Sequence, residues 1–294
     1  MTLLTVDQLR AMIPTNKEVE EWCEELNKAL PKYGITNEKR IAAFVSQCAH
    51  ESMDFNALKE NLNYREETLL KVFPRYFGPG KRNAAEYARN PEKLANYVYM
   101  DEFRTSKLGN TQPGDGAKFI GRGLKALTGR DNYTRFAKDY DMTAEQAAEW
   151  LETKEGALAS ALWFWDTKNL NEVADAEPGD VVRITKIING GNIGLADRKQ
   201  RFDKAMAVLT GKIPLRAANS KTAPVNPQIT DAVTQILRKG SKGDAVKKMQ
   251  AALGIKADGD FGPGTEAALK KWQASNGLTA DGVAGPKTLG KLIG

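Results

Sequence analysis

Histidine and cysteine are almost absent from this 294-residue chain, and their scarcity excludes two kinds of hydrolase. The chain has one histidine, His50, so the second imidazole of the H-E-x-x-H zinc pattern is missing. A Cys-His peptidase would have to use Cys48 with His50, but residues two apart in one helix point about 200° apart around its axis. We therefore exclude zinc peptidases and Cys-His peptidases.

Disulfides and long apolar runs are also lacking. The two cysteines, Cys23 and Cys48, are too few for a disulfide framework, and Cys48 falls in an apolar helical pattern that is typical of a buried thiol. No segment approaches the roughly 18 uninterrupted apolar residues of a membrane span, so we expect no integral membrane segment. The start of the chain, MTLLTVDQLRAMIPTNKEVEEW, lacks the basic-then-apolar layout of a signal peptide, which predicts synthesis in the cytoplasm.

The net charge alone is compatible with several kinds of binding partner. A formal net charge of +6 suits an acidic partner such as nucleic acid, an anionic membrane surface or an anionic wall polymer. The basic residues are scattered, and neither helix-turn-helix nor finger spacing accompanies them. We therefore interpret them as a solvated surface and expect no nucleic-acid partner.

Helical periods dominate the first two thirds of the chain. Apolar residues recur at i, i+3, i+4 and i+7 in two series: Ile41, Phe44, Val45 and Cys48, and Leu158, Ala161, Leu162 and Trp165. The glycine-rich stretch 109–123 favours loops or short hairpins. Residues 211–230 are rich in proline and small polar residues, which is typical of a linker. These patterns predict a mainly α fold with minor β hairpins, a large domain at 1–210 and a small one at 231–294.

The tail contains an internal repeat at a constant offset: Ala257-Asp258-Gly259, Gly262-Pro263 and Thr265 recur as Ala280-Asp281-Gly282, Gly285-Pro286 and Thr288. We expect two copies of a turn followed by a helix, with each threonine as the helix cap and a third helix near 244–253. A calcium loop starting at Asp258 is excluded because Pro263 and Leu269 occupy its sixth and twelfth positions.

Two glutamates are candidates for acid-base chemistry. Glu51 lies seven residues after Phe44, at the end of an apolar helix face, where desolvation would favour the protonated carboxyl of a general acid. A structural glutamate that caps a loop or pairs with an arginine is the alternative. Glu60 would point half a turn away on a straight helix, so poor helix formers at 53–56 must let 59–64 fold back. Such a pair across a groove suits glycoside hydrolysis.

Several motifs occur in a specific order over residues 35–205. They are Ala49-His50-Glu51-Ser52, Glu60-Asn61-Leu62-Asn63-Tyr64, Val72-Phe73-Pro74-Arg75-Tyr76-Phe77, Tyr87-Ala88-Arg89-Asn90-Pro91, Gly121-Arg122-Gly123-Leu124, Leu127-Thr128-Gly129-Arg130-Asp131-Asn132-Tyr133, Ile188-Asn189-Gly190-Gly191 and Asp197-Arg198. In these motifs the chain resembles family-19 glycoside hydrolases, specifically the chitinase-like lysozyme domains of phage endolysins. The resemblance implies a lysozyme-like fold.

The resemblance also implies roles for particular residues. Glu51 would be the general acid and Glu60 the general base of an inverting mechanism, with carboxyls about 6.5 to 9.5 Å apart and Thr128 holding the attacking water. No metal or organic cofactor is required. The implied substrate-binding residues are Tyr64, Asn132, Tyr133, Asn189 and Arg198, of which Arg198 orients the catalytic carboxylates. Alternatively, Thr128 and Asn132 cap a helix and Arg198 forms a surface ion pair.

Two departures from the family pattern fall near the expected groove. Lys125-Ala126-Leu127 stands where the family usually reads Ile-Gln-Leu, so Ala126 lacks an amide expected to touch substrate. Met53-Asp54 replaces a glycine pair and could narrow or re-aim the groove beside Glu51.

Residues 231–294 resemble the three-helix peptidoglycan-binding domain of wall hydrolases, which would tether the enzyme to its substrate. Together the two resemblances imply a monomeric endolysin that cleaves β-1,4 bonds of peptidoglycan as a muramidase. It would reach the wall in the periplasm after membrane permeabilisation. A chitinase and a non-catalytic wall-binding protein remain the alternatives.

Overall fold

The computed structural model describes residues 2–176, 179–212 and 236–293. These residues divide into two compact units, one within 1–134 and 144–218 and the other within 135–143 and 219–294. The short stretch 135–143 thus groups with the tail rather than with the large domain. Residues 213–230 of the predicted linker lie outside the described residues, so the domain limits 1–210, 211–230 and 231–294 stay a prediction.

The helices that begin in the first unit are α1 Val6–Met12, α2 Val19–Ala29, α3 Glu38–Glu51, α4 Glu66–Val72, α5 Pro91–Val98, α6 Asp115–Lys118, α7 Arg130–Asp139, α8 Ala144–Trp150, α9 Lys154–Thr167, α10 Leu170–Asp175, α11 Val181–Asn189 and α12 Leu195–Leu209. Short 3-10 helices lie at Leu30–Tyr33, Ala84–Glu86 and Asp101–Phe103. The second unit adds α13 Asp244–Ala252, α14 Pro263–Ser275 and α15 Pro286–Ile293.

The prediction of a mainly α fold is confirmed. Within the described part of the chain, β structure is limited to isolated bridges, among them Lys59 with Arg122 and Arg122 with Leu127. The glycine-rich stretch 109–123 therefore forms loops and the single-turn α6 rather than regular hairpins. None of the described helices combines the length and apolarity needed to cross a membrane.

Helix α3 packs into the hydrophobic core of the first unit. Asn37 caps it by accepting a hydrogen bond from the Arg40 N–H at 2.9 Å. The predicted apolar series at 41, 44, 45 and 48 is buried, and the Phe44 ring meets Trp165 of α9 edge-on with centroids 5.4 Å apart. Each fully buried side chain of this size contributes about 1.5 to 3 kcal/mol, which anchors α3 in the core.

The chain reverses directly after α3, as predicted. Met53, Asp54 and Phe55 have φ angles of 51°, 57° and 65°, in the left-handed region. The Ser52 hydroxyl donates to the Cys48 carbonyl at 2.6 Å and accepts from the Phe55 N–H at 3.0 Å, which fixes the turn. Segment 58–64 then returns, and the Glu60 N–H donates to the Gly121 carbonyl at 2.9 Å.

The repeat in the tail organises two equivalent turns. Gln250 and Gln273, which are separated by the same offset as the two Asp-Gly turns, are each 1% exposed. The Gln250 side chain donates to Asp258 Oδ1 at 2.8 Å and accepts from the Gly259 N–H at 2.8 Å. The Gln273 side chain makes the same pair of contacts in the second copy, with the carboxylate and the N–H of its Asp-Gly turn. The predicted repeat is therefore confirmed in three dimensions.

The predicted threonine caps are wrong. Helix α14 begins at Pro263 after the cap residue Gly262, so Thr265 lies inside the helix and is 5% exposed. Its hydroxyl accepts from the Gln250 amide at 2.9 Å. Helix α15 likewise begins before Thr288. Proline is favoured in the first turn of a helix, where its missing N–H is not needed, so the Gly-Pro pairs start these helices.

Both cysteines are buried free thiols, which confirms the buried thiol predicted for Cys48. Burial raises the pKa of the Cys23 thiol to about 11. Burial also raises the pKa of Cys48, with a further contribution from the nearby Glu51 carboxylate. Neither thiol is a nucleophile near neutral pH, in agreement with the exclusion of a cysteine peptidase.

Candidate active site

Glu51 is the last residue of α3, and its side chain is 20% exposed. A guanidinium nitrogen of Arg198, on α12, donates to Glu51 Oε1, and a second donates to the Gln47 side chain. Because the Arg198 side chain is only 2% exposed, its position is fixed by the packing of α12 against α3. The expected buried carboxyl is thus partly open to solvent and paired with a buried cation.

A small pocket of about 10 Å³ lies beside Glu51, with room for about one water molecule. Its wall is mostly apolar and includes Phe44, Phe164 and Trp165, together with Lys125. The Lys125 ammonium lies 3.9 Å from the centroid of the Phe164 ring. Burial lowers the pKa of Lys125, and the Glu51 carboxylate partly offsets this effect. The departure at position 125 therefore places a second cationic side chain next to Glu51.

A network of charged side chains supports the end of α3. His50 Nδ1 lies 2.6 Å from Asp197 Oδ2, and the same oxygen accepts from Arg201 Nε at 2.7 Å. Arg201 also pairs with the buried Asp54 carboxylate. Burial alone raises the pKa of Asp197, but His50 and Arg201 together lower it below its ordinary value. His50 thus joins α3 to α12.

Glu60 is held by neutral donors. The Gly121 N–H donates to Glu60 Oε1 at 2.5 Å, and the Tyr99 hydroxyl donates to Glu60 Oε2 at 2.7 Å. Burial raises the pKa of Tyr99, and so does the Glu60 carboxylate, so the phenol remains a donor. Tyr99 is 39 residues from Glu60, and no spacing in the sequence pointed to it.

The Thr128 hydroxyl and the Glu60 carboxylate both lie close to Gly121. A Cβ added to Gly121 would lie 3.4 Å from Glu60 Oε1 and 3.3 Å from Thr128 Oγ1, so a side chain there would crowd both oxygens. The Thr128 hydroxyl donates to the Ala126 carbonyl at 3.1 Å, which leaves its lone pairs free to accept from another molecule.

The predicted substrate-binding residues differ in their surroundings. Tyr133 is fully buried, and its hydroxyl donates to the Ile120 carbonyl at 2.7 Å, so its prediction as a sugar contact is wrong. The ring fills the core beneath the loop that carries Gly121. Arg198 is likewise buried, and its guanidinium contacts Glu51 and Gln47, so its prediction as a sugar contact is also wrong. The alternative of a surface ion pair for Arg198 is excluded.

The other three residues retain some exposure. Asn132 is half-buried and donates to the Thr128 carbonyl at 2.7 Å, which supports the loop before α7. Asn189, at the end of α11, is exposed and donates to the Ile193 carbonyl at 3.3 Å. Tyr64 is half-buried, and burial together with the Glu60 carboxylate raises its pKa. Sugar binding by these three residues stays a prediction.

Ala126 presents a methyl group to solvent at the place where an amide was expected. The residue is exposed, with a φ of 52°. The Ala126 carbonyl accepts a hydrogen bond from the Thr128 hydroxyl. The departure at 126 therefore removes a polar side chain but leaves the support of Thr128 in place.

Comparison with known proteins identifies the class of both parts of the chain. Residues 242–292 match the family model described as a putative peptidoglycan binding domain. A glycosyl hydrolase family 19 domain-containing protein of Haemophilus influenzae is 36% identical over 185 residues, which is 62% of this chain and 86% of that protein. The chain is thus a glycoside hydrolase with a wall-binding domain.

The chain belongs to glycoside hydrolase family 19. Among solved structures, chitinase C from Streptomyces griseus is similar with a TM-score of 0.43 and 16% identity, over 71% of this chain and 93% of that one. A bacterial family 19 chitinase is similar with a TM-score of 0.42 and 14% identity, over 70% of this chain and 95% of that one.

Proposed function

We propose that the protein is an endolysin that cleaves β-1,4 bonds of peptidoglycan as a muramidase, with inversion at the anomeric carbon. The observation that carries the proposal is that Glu60 Oε1 and Thr128 Oγ1 both approach the same side of Gly121. In an inverting glycosidase the base activates a water molecule instead of attacking the sugar carbon, so a second acceptor near the base would hold that water.

In the proposed mechanism, Glu51 protonates the bridging oxygen while Glu60 removes a proton from the water. Thr128 accepts the second hydrogen bond of that water and fixes its direction of attack. The Gly121 N–H and the Tyr99 hydroxyl hold the Glu60 carboxylate in place. Arg198 orients Glu51 through α12, and the leaving sugar takes the proton of Glu51. We expect the two carboxyls to lie about 6.5 to 9.5 Å apart.

The peptidoglycan-binding domain supports peptidoglycan as the substrate. Tethering raises the local concentration of glycosidic bonds at the catalytic site without any new contact there. Cell lysis would follow once the enzyme reaches the wall, after permeabilisation of the inner membrane.

One digestion experiment tests this proposal. Purified peptidoglycan and chitin are incubated with the wild type, with Glu51→Gln and with the control Glu38→Gln, which alters the exposed first residue of the same helix. Mass spectrometry then identifies the new reducing ends. We expect muropeptides with a muramic-acid reducing end from the wild type and the control only.

Other results would contradict the proposal in distinct ways. Full activity of Glu51→Gln would refute the assignment of the general acid. Cleavage of chitin alone would indicate a chitinase. Absence of cleavage of either polymer would indicate a wall-binding protein without catalytic activity.

A further inference from the structure

Among the described residues, the two most exposed large hydrophobic side chains belong to segments next to the C-terminal end of α3, which carries the proposed acid. Met53 is 71% exposed and Ile193 is 76% exposed, whereas the next in order, Val72, is 49% exposed. Met53 follows Glu51 by two residues. The neighbour of Ile193 in the chain, Gly194, packs so closely on the side chain of His50 that an added Cβ would lie 2.3 Å from Nε2.

The backbone at Met53 is unfavourable for a residue with a side chain. Met53, Asp54 and Phe55 form three successive left-handed residues, with φ angles of 51°, 57° and 65°. In this region the Cβ atom crowds the following carbonyl oxygen, and such backbone persists only where its surroundings fix it. Strained residues of this kind cluster at functional sites.

The second and third residues of the turn have a structural reason for their positions. The Asp54 carboxylate is 4% exposed and accepts from the Thr15 hydroxyl at 2.8 Å and the Thr15 N–H at 3.2 Å, in addition to its pair with Arg201. The Phe55 ring is 2% exposed and meets Trp22 edge-on, with centroids 5.1 Å apart.

The Met53 side chain has no comparable structural role in the turn. It is neither buried nor needed for the turn, in which glycine would adopt the same φ without a steric penalty. A large apolar group is thus held in solvent, on strained backbone, two residues from the acid. Burial by substrate would remove its apolar surface from water and account for its presence.

We propose that Met53 is a specificity-determining residue that contacts the acetamido methyl group of the amino sugar bound next to Glu51. This inference rests on the proposed function, because it requires N-acetylated amino sugars in the groove. The ring substituents of such sugars are mostly polar, and the acetamido methyl is the apolar group that both sugars of the strand share, since the lactyl methyl occurs on muramic acid alone. Methionine suits this contact because its unbranched, polarisable side chain adapts to the shape of the partner.

The test compares substrates that differ by that methyl group. Peptide-free glycan strands are de-N-acetylated and then re-acylated with either acetyl or formyl groups. We expect the wild type to cleave the acetyl form with a kcat/KM about 10-fold higher than the formyl form, as for a methyl group in an apolar contact. Met53→Gly should cleave both forms equally, and Met53→Leu should retain the preference.

Stability supplies an independent readout. Met53→Gly relieves the left-handed strain, so the midpoint of thermal unfolding should rise by about 2 °C. The matched control is Asn169→Gly, at a residue that also has a φ of 51° and lies at the start of α10. This control should keep the full preference for the acetyl form.

Three results would overturn the inference. They are an unchanged acetyl preference in Met53→Gly, equal cleavage of both forms by the wild type, and loss of the preference in Asn169→Gly. A wild type that cleaves neither form would instead refute the proposed function, so the two failures are distinguishable.

Discussion

Glu51 and Glu60 lie in the same unit and are both half-buried, but they are held by opposite means. Glu51 ends a long helix and is paired with the buried guanidinium of Arg198. Glu60 lies in a loop and accepts from two neutral donors, the Gly121 N–H and the Tyr99 hydroxyl. The acid side thus depends on a buried charge, whereas the base side depends on the shape of a loop. Removal of the Arg198 charge should therefore affect Glu51, and removal of the Tyr99 hydroxyl should affect Glu60.

The largest effects are expected at the carboxylates themselves. Glu51→Gln and Glu60→Gln should each lower kcat on glycan strands by about 10² to 10⁴-fold, the usual contribution of a general acid or base. A substrate with a nitrophenolate leaving group needs no proton from the acid. Steady-state kinetics on both substrates should show recovery for Glu51→Gln and none for Glu60→Gln, and recovery of both variants would contradict the assignment.

Removal of the buried charge should affect stability most. Arg198→Met leaves Glu51 without its partner, and breaking a buried ion pair from one side costs about 3 to 5 kcal/mol of unfolding free energy. Denaturation in urea measures this change. The control Arg40→Met breaks the more exposed pair with Asp175 and should cost less than about 1 kcal/mol. Equal losses in both variants would show that Arg198 has no special role.

Removal of the Tyr99 hydroxyl should lower the activity through its effect on Glu60. Tyr99→Phe deletes a hydrogen bond to the Glu60 carboxylate, and such bonds to charged groups contribute about 1.5 to 3 kcal/mol. We expect kcat/KM to fall about 10-fold, because the carboxylate loses one of its two donors. Tyr97→Phe is the control, since its hydroxyl donates only weakly to the Tyr76 carbonyl at 3.4 Å. A kcat/KM unchanged in Tyr99→Phe would refute this role.

An effect on stability alone is expected at Asp115, in the first turn of α6. Burial alone raises the pKa of Asp115, but hydrogen bonds from Arg130 and the Gln112 N–H hold it below its ordinary value. The stabilising contribution is therefore present above the unfolded pKa near 4 and is lost as the pH falls through the folded pKa.

Asp115→Asn should lower the unfolding free energy at pH 7 by about 2 kcal/mol, since it removes the charge that pairs with Arg130. The difference from the wild type should shrink at pH 3 and below. Urea denaturation at the two pH values checks this, and a difference that does not depend on pH would exclude the ion pair as its cause.

Local patterns predicted much of the fold. The apolar period of α3 fixed the face that carries Phe44 into the core, and the poor helix formers after Glu51 marked the reversal of the chain. The tail repeat predicted two equivalent turns because each copy contains its own Asp-Gly and Gly-Pro signals. Each of these features is decided by residues close together in the sequence.

Features that depend on distant residues could not be predicted in this way. The bond from Tyr99 to Glu60 spans 39 residues, and no periodicity links the two. Tyr133 stands in a motif associated with sugar binding, but its hydroxyl is used by the Ile120 carbonyl inside the core. The three left-handed residues from Met53 are fixed in part from outside, because Thr15 and Arg201 hold Asp54.

The central claim is that Glu51 and Glu60 act as acid and base on opposite faces of the sugar. Proton nuclear magnetic resonance during hydrolysis of glycan strands follows the anomer that forms first, before mutarotation. We expect the α anomer from a β-1,4 bond, because water attacks from the face opposite the leaving group. The β anomer as the first product would contradict it.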